Sequence, residues 1–134
     1  MSDTTTPFTI TAAAGRVRVL FEGHEVADSA RALRLEEPGH EPVYYFPRED
    51  VQMAVLRRND RASICPWKGK ASWFTIMRDA KIVEDVAWSY DAPRDGVSII
   101  AGHVAFAAEH VDIEADETPQ PVRRVPPMDP PYVG

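Results

Sequence analysis

The segment from residue 65 to residue 74, Cys-Pro-Trp-Lys-Gly-Lys-Ala-Ser-Trp-Phe, concentrates the most reactive side chains of the sequence. It holds the only cysteine, two of the three tryptophans and two lysines on either side of Gly69. A thiolate is a nucleophile, a lysine ammonium attracts anions, and an indole ring offers a flat stacking surface. Since Pro66 and Gly69 favour a tight turn, the segment predicts a rigid turn at the edge of a pocket.

Cys65 and His103 are the candidate catalytic residues. A cysteine nucleophile requires a cation or a base nearby, and Lys68 and His103 would supply these groups. The alternative is that Cys65 packs as a small apolar side chain, as most free cysteines do. The sequence leaves both interpretations open and does not decide whether the protein is an enzyme.

Five residues are candidate ligand contacts, namely Tyr45, Arg48, Trp67, Lys68 and Gly69. Lys68 and the N–H groups of the turn at Gly69 would face an anion, and Arg48 would add a bidentate donor. Trp67 and Tyr45 are expected at the edge of the pocket, where their rings would stack on a flat ligand.

The charge distribution favours an anionic or flat polar ligand at the same place. The net charge of −6 argues against binding to nucleic acid or to an anionic membrane surface. Residues 57–81, however, include seven basic and two acidic residues, so this window carries a charge of +5 and the rest of the chain a charge of −11. A solvated strand face would give the same pattern, and that interpretation stays open.

Length and composition predict one globular domain in a reducing compartment. With 134 residues, 44% of them hydrophobic, the chain suits a single domain with a buried core. No run approaches the roughly 20 apolar residues that a membrane span requires, and the first residues lack the pattern of a secretory signal. A single cysteine cannot form an internal disulfide, so the predicted location is the cytoplasm.

Metal chemistry is weakly supported by the residue types. One cysteine excludes a four-thiolate zinc site, and a mixed site of Cys65, His103 and a carboxylate is the remaining alternative. We expect no metal and no cofactor. Asp112 and Glu114 are the nearest carboxylate pair for a magnesium site of phosphoryl-transfer chemistry, but no glycine-rich phosphate loop precedes them.

Alternation of apolar and polar residues predicts short strands, and turn residues separate them. The predicted strands cover residues 16–21, 26–29, 32–36, 43–46, 71–77, 82–90, 103–106 and 111–114. Trp73 and Trp88 lie on two of these strands and are expected in the core. Strands and helices do not alternate, which favours a mainly β, antiparallel fold (a β-rich α+β class) over a parallel one.

One short helix is predicted after the fourth strand. Pro47 suits the first helical position, and the acidic residues at 49 and 50 complement the helix dipole. Apolar residues at 51, 54 and 55 recur at helical spacing, and the arginines at 57 and 58 close the last turn. This pattern predicts a helix of about three turns followed by a loop at residues 59–61.

The domain organisation follows from composition. Residues 1–14 are small or polar and predict a flexible arm, and residues 15–114 form the single domain. Six of the twelve prolines fall between residues 119 and 131, so residues 115–134 predict a Pro-rich, disordered or extended tail.

Four motifs, in this order and at this spacing, resemble the bacterial family called domain of unknown function 427. They are the segments Tyr45–Val51, Cys65–Trp73, Ala87–Tyr90 and Ile100–Phe106. The resemblance covers about residues 15–114 and implies a compact, tent-like antiparallel β domain with one short helix. It implies no assigned activity, although one classification of the family is nucleotidyltransferase-like.

The residues and the resemblance together predict a domain that binds, or binds and turns over, an anionic or flat polar small molecule at the turn of residues 65–70. The alternative is a non-enzymatic interaction module, such as a homodimer, in which the aromatic residues form the interface and the Pro-rich tail contacts a partner. A nucleotidyltransferase is the third and least supported function.

Overall fold

The computed structural model describes residues 8–116, and β-strands make up most of this range. The ten strands are β1 (Thr9–Ala12), β2 (Arg16–Phe21), β3 (His24–Ser29), β4 (Leu33–Glu36), β5 (Val43–Tyr45), β6 (Leu56–Cys65), β7 (Gly69–Arg78), β8 (Lys81–Ser89), β9 (Val104–Phe106) and β10 (Asp112–Asp116). Three short 3₁₀ helices cover Arg48–Asp50, Met53–Val55 and Asp95–Ile100. No helix among residues 8–116 has the length and apolar character needed to cross a lipid bilayer.

The strands form three antiparallel sheets. Their orders are β1-β4-β5, β10-β2-β3 and β6-β7-β8-β9. The chain after β5 is joined to the four-stranded sheet by a β-bridge, in which Phe46 and Val104 of β9 exchange two backbone hydrogen bonds of 2.8 Å. The predicted mainly β, antiparallel fold is confirmed.

The pattern of β2 shows why the alternating segments form half-buried strands. Val17, Val19 and Phe21 are buried, whereas Arg16 and Arg18 point to solvent. Successive side chains of a strand point to opposite faces, so one face of β2 enters the core and the other carries charge. The arginines bind acidic residues of the neighbouring strands, for example Arg16 to Asp28 of β3 at 2.6 Å.

Two apolar clusters lie on opposite faces of the four-stranded sheet. The larger cluster is built around Phe21, Phe46, Phe74 and Phe106, and the rings of Phe46 and Phe106 meet edge to face at 5.9 Å. The smaller cluster consists of Phe8, Leu35, Tyr45, Ala71, Tyr90, Val97, Ile100 and Ala105. Consecutive β8 residues separate the two, since Ala87 belongs to the larger cluster and Trp88 packs against the smaller one.

The predicted helix at residues 47–58 is wrong. Two single 3₁₀ turns, Arg48–Asp50 and Met53–Val55, take its place. Between them Val51 is extended, with φ −116° and ψ 141°, and forms a β-bridge with Ala27 of β3. The N–H of Gln52 donates to the carbonyl of Val26 in β3 at 2.8 Å. Pairing with β3 therefore overrides the helical pattern, as tertiary context often does.

Residues 59–61, predicted as a loop, lie inside β6, so this prediction is also wrong. They form a bulge, because the pairing of β6 with β7 shifts register between Arg58 and Ala62. The Asn59 amide holds the bulge by donating to Thr75 Oγ1 and Asp85 Oδ1, both at 3.0 Å. Asp85 has a φ of +59°, which marks a second backbone irregularity, in β8, next to the bulge of β6.

The predicted boundaries of the domain differ from the structure at both ends. Thr9–Ala12, expected in a flexible arm, form β1 and pair with β4. Ala115 and Asp116, expected in the tail, belong to β10 and pair with β2. Residues 1–7 of the predicted arm and residues 117–134 of the predicted tail lie outside the described residues.

Candidate functional site

A cleft of about 350 Å³ lies between the β4–β5 side of the molecule and the four-stranded sheet. This volume is within the range of small-molecule sites, about 300–1,000 Å³. Its lining residues come from β4, β5, β7, β8 and three connecting segments, and they are Leu35, Glu37, His40, Glu41, Val43, Tyr45, Lys68, Trp73, Trp88 and Tyr90. We call it the aromatic cleft.

Two tryptophans form one wall of the aromatic cleft. Trp73 and Trp88 are direct partners in the β7–β8 pairing, and their ring centroids are 5.2 Å apart at an angle of 40°. Trp73 is fixed by a 2.9 Å hydrogen bond from its Nε1 to Ser63 Oγ and by the Arg61 guanidinium, 4.1 Å from its ring centroid. Both indoles are half-buried, so they retain surface that a ligand can stack on.

Two tyrosines supply neutral hydroxyl groups. Trp88 Nε1 donates to the Tyr45 hydroxyl at 3.4 Å. Burial raises the pKa of Tyr45 well above its usual range and raises the pKa of Tyr90 to about 12. Both phenols therefore stay protonated at neutral pH, and each offers a hydrogen-bond donor and acceptor.

Lys68 brings an ammonium group to the aromatic cleft. Its side chain is only 13% exposed, and Nζ lies 4.0 Å from Glu37 Oε1 and 4.0 Å from Cys65 Sγ. Nζ also lies 4.4 Å from the centroid of the Phe8 ring, a cation–π contact. The turn is anchored because the Arg94 N–H donates to the Lys68 carbonyl at 2.9 Å.

The segment between β4 and β5 adds acidic groups to the rim. The His40 N–H donates to the Glu37 carbonyl at 3.0 Å, and Gly39 between them has a φ of +83°. His40 Nε2 lies 3.9 Å from a Glu37 carboxylate oxygen. Glu41 is exposed at the rim and forms no ion pair with a residue between 8 and 116. Two carboxylates thus face one ammonium group, which disfavours a purely anionic ligand.

A family model matches residues 9–117, more than half of the chain, and its description is domain of unknown function (DUF427). The chain belongs to the DUF427 family. A comparison with curated proteins gives no match. The predicted resemblance to this family is therefore confirmed, and the family carries no assigned activity.

The aromatic cleft of this DUF427 domain contains two of the seven predicted site residues, Tyr45 and Lys68. Cys65 adjoins it through its contact with Lys68 and packs against the smaller apolar cluster. Trp67 and Gly69 belong to the same turn but do not line the cleft, and Trp67 is 46% exposed. Gly69 has a φ of +112°, a conformation that side chains rarely adopt.

Arg48 lies on the other face of the four-stranded sheet. It donates to Ser89 Oγ at 3.1 Å, and Ser89 points away from its neighbour Trp88. It also donates to the Gly102 carbonyl at 2.7 Å and to Asp91 Oδ1 at 3.0 Å. These contacts bind together the ends of two strands and a loop, which is a structural role.

His103 makes no hydrogen bond to Cys65 within the described residues. Its Nδ1 lies 3.2 Å from the Ala101 carbonyl, and its own carbonyl accepts a 2.7 Å hydrogen bond from Ser89. His103 does not line the aromatic cleft. The predicted general base is therefore not in position to take a proton from the thiol in this structure.

The carboxylates considered for magnesium lie on β10. Glu114 accepts a 2.6 Å hydrogen bond from Arg18 Nη2, so its charge is already balanced. Within residues 8–116, no group of three His, Cys, Asp or Glu side chains has a metal-binding arrangement.

Sequence reasoning missed most of the cleft lining. Trp73 and Trp88 were expected in the core, and the hairpin formed by β7 and β8 was the signal that places them side by side. Glu37, His40 and Glu41 lie in an irregular segment without periodicity, and no sequence signal indicated that it would approach Lys68, about thirty residues away.

Proposed function

We propose that this domain binds a flat, polar small molecule in the aromatic cleft. The observation that carries the proposal is the pairing of a tryptophan wall with buried, neutral tyrosine hydroxyls in a cleft of about 350 Å³. A few polar groups placed around a largely aromatic surface are typical of small-molecule sites. We further propose a cytoplasmic location, supported by the single free thiol.

The polar groups define the chemical class of the ligand. Lys68 would bind an acceptor such as a carbonyl or a ring nitrogen, and Glu37 or Glu41 would bind an N–H or an amino group. The ring would stack on Trp88, whose Nε1–H is already directed to Tyr45. A neutral heteroaromatic molecule with both donors and acceptors fits this set better than a multiply charged anion, because acidic groups outnumber Lys68.

A heteroaromatic fragment library, screened by NMR against the ¹⁵N-labelled full chain, tests this function. The three indole N–H signals serve as reporters, since Trp73 and Trp88 line the cleft and Trp67 does not. Fragments that bind should shift the Trp73 and Trp88 signals and leave Trp67 unchanged.

The matched variants are Trp88→Phe and Trp67→Phe. Stacking of a base-like ring on an aromatic side chain is worth about 1–3 kcal/mol, so Trp88→Phe should weaken binding by about tenfold through lost area. Trp67→Phe should leave the dissociation constant unchanged. Equal weakening by both variants, or shifts confined to residues outside the aromatic cleft, would refute the proposal.

A further inference from the structure

We propose that Arg61 is the positioning residue of the aromatic cleft, because its guanidinium holds the Trp73 ring in the orientation on which a ligand stacks. Arg61 lies on β6 and does not line the cleft, so it acts on a ligand only through Trp73. The effect on ligand binding rests on the function proposed above. The contact between Arg61 and the Trp73 ring does not depend on a ligand and is tested separately.

The backbone of β6 is distorted opposite Trp73. The register places three residues, 59–61, opposite this one residue of β7, so two residues are extra. A regular antiparallel pairing sets one residue opposite one. The pairs on either side of the distortion are Arg58–Phe74 and Ala62–Ser72. Bulges of this kind often lie next to functional sites, where they re-aim a side chain.

A second distortion, in β8, lies opposite Thr75, two residues along β7 from Trp73. Residues 84–86 face Thr75 alone, and Asp85 in the middle has a φ of +59°, which a residue other than glycine seldom adopts. The pairs on either side are Phe74–Ala87 and Ile76–Val83. Such backbone conformations persist where the surrounding structure fixes them, and they cluster at binding and active sites.

The two bulges meet in a group of three side chains that fixes Arg61. Its Nη1 donates to Asp85 Oδ2 at 3.1 Å, and its backbone N–H donates to Asn59 Oδ1 at 2.9 Å. The Asn59 amide donates in turn to Asp85 Oδ1 at 3.0 Å. Each of the three residues thus contacts the other two, so Arg61 is held at both its backbone and its guanidinium.

This group fixes the Trp73 ring from the side of β6. The Arg61 guanidinium lies over the ring, 4.1 Å from its centroid, and Ser63 Oγ accepts a 2.9 Å hydrogen bond from its Nε1. The ring quadrupole attracts a cation, and the planar guanidinium also stacks on the indole. Among residues 8–116, no cation lies over the Trp88 ring. Trp73 is therefore the wall residue whose orientation depends on a charged partner.

A Trp73 ring that leaves this orientation part of the time would bind a ligand more weakly. The apparent Kd equals the intrinsic Kd divided by the fraction of molecules in the binding-competent orientation. If the loss of the guanidinium reduces this fraction to about one half to one fifth, the Kd rises about two- to fivefold. The expected effect of Arg61 is thus on affinity at an unchanged fold.

NMR on the full chain without ligand tests the contact. Arg61→Met should broaden the Trp73 indole signal and weaken the cross-peaks between the rings of Trp73 and Trp88, which lie 5.2 Å apart. Arg61→Lys keeps the charge but not the planar guanidinium, so it should give an intermediate result. The control Arg57→Met removes a positive charge from an exposed residue of β6 that forms no ion pair with residues 8–116, and it should change neither signal. Unchanged Trp73 signals in Arg61→Met would overturn the inference.

A double-mutant cycle shows whether Asp85 acts through Arg61. Asp85→Asn should weaken the cross-peaks between the two tryptophan rings in the wild-type chain. In the Arg61→Met background the same substitution should add nothing, because the group that Asp85 holds is already gone. Additive effects would show that the carboxylate acts on the ring by another route and would overturn the positioning role of this group.

The effect on binding is measured with quinazolinone, a flat neutral heteroaromatic probe with an N–H donor and a carbonyl acceptor. Its Kd should rise about two- to fivefold in Arg61→Met, rise less in Arg61→Lys and stay the same in Arg57→Met. An unchanged Kd in Arg61→Met would overturn the role of Arg61 in binding. If neither quinazolinone nor any library fragment binds in the cleft, the proposed function fails and the effect on affinity fails with it, whereas the ligand-free measurements still decide whether Arg61 fixes Trp73.

Discussion

Arg48 and Arg58 offer a matched test of the structural role assigned to Arg48. Both guanidinium groups bind Asp91, Arg48 at 3.0 Å and Arg58 at 2.8 Å. Both lie over the Phe74 ring, at 5.7 and 5.8 Å from its centroid. Only Arg48 also donates to the Gly102 carbonyl and to Ser89 Oγ. The same substitution at both positions therefore isolates these two hydrogen bonds.

The expected magnitudes follow from the contacts. Exposed ion pairs such as the one to Asp91 contribute about 0–1 kcal/mol. A hydrogen bond from a charged donor contributes about 1.5–3 kcal/mol, and the lower end applies here because the Arg48 side chain is 35% exposed. Arg48→Met should therefore reduce the free energy of unfolding by about 3 kcal/mol, and Arg58→Met by less than about 1 kcal/mol.

Urea denaturation followed by tryptophan fluorescence measures both values. With a slope of about 1–1.5 kcal/mol per molar for a domain of this size, Arg48→Met should lower the midpoint by about 2–3 M. Arg58→Met should change it by well under 1 M on the same scale. Equal losses in the two variants would show that the Gly102 and Ser89 contacts add nothing and that the structural role of Arg48 is wrong.

Two further predictions concern acid stability and the turn at residue 69. Hydrogen bonds from Arg31 hold the pKa of Asp50 below its usual range, so the stability that the carboxylate adds is present above pH of about 4 and is lost as pH falls through the lowered pKa. Asp50→Asn should therefore reduce the free energy of unfolding by about 1–2 kcal/mol at pH 7. Urea titrations from pH 7 to pH 2 should show that the difference from wild type disappears, and a constant difference would contradict this prediction. Gly69→Ala places a side chain at φ +112° with its Cβ 3.5 Å from a backbone oxygen, while Gly23→Ala at φ +82° meets nothing within 4 Å. Thermal unfolding should therefore show a loss of more than about 1 kcal/mol for Gly69→Ala and a smaller one for Gly23→Ala, and the reverse order would contradict the strain argument.

Local pattern was enough to predict most strands. Val17, Val19 and Phe21 alternate with charged residues, and this period places one face of β2 in the core. The helix prediction failed at Val51 because helical spacing in a short segment competes with pairing to a distant strand, which the sequence does not reveal. Residues 59–61 carry no apolar signal, yet they lie inside β6 as a bulge, because the residues on both sides of them, Arg58 and Ala62, pair with β7.

The candidate site was predictable only where it lies on the turn of residues 65–70. Lys68 was expected at a pocket, and the structure places it in the aromatic cleft. Its partner Glu37 follows β4 and lies beside Lys68 only because the β1-β4-β5 sheet packs against the β6-β7-β8-β9 sheet. Arg48 and His103 belong to motifs of the family resemblance, but motif membership did not distinguish residues that line a cleft from those that secure strand ends.

The two apolar clusters on opposite sides of one sheet separate the packing of the scaffold from the packing beneath the aromatic cleft. The larger cluster, around four phenylalanines, maintains the scaffold without contributing a side chain to the lining of the cleft. Substitutions in the lining thus leave the side chains of the larger cluster unchanged. A fold organised in this way can change the shape of its cleft while its scaffold stays intact.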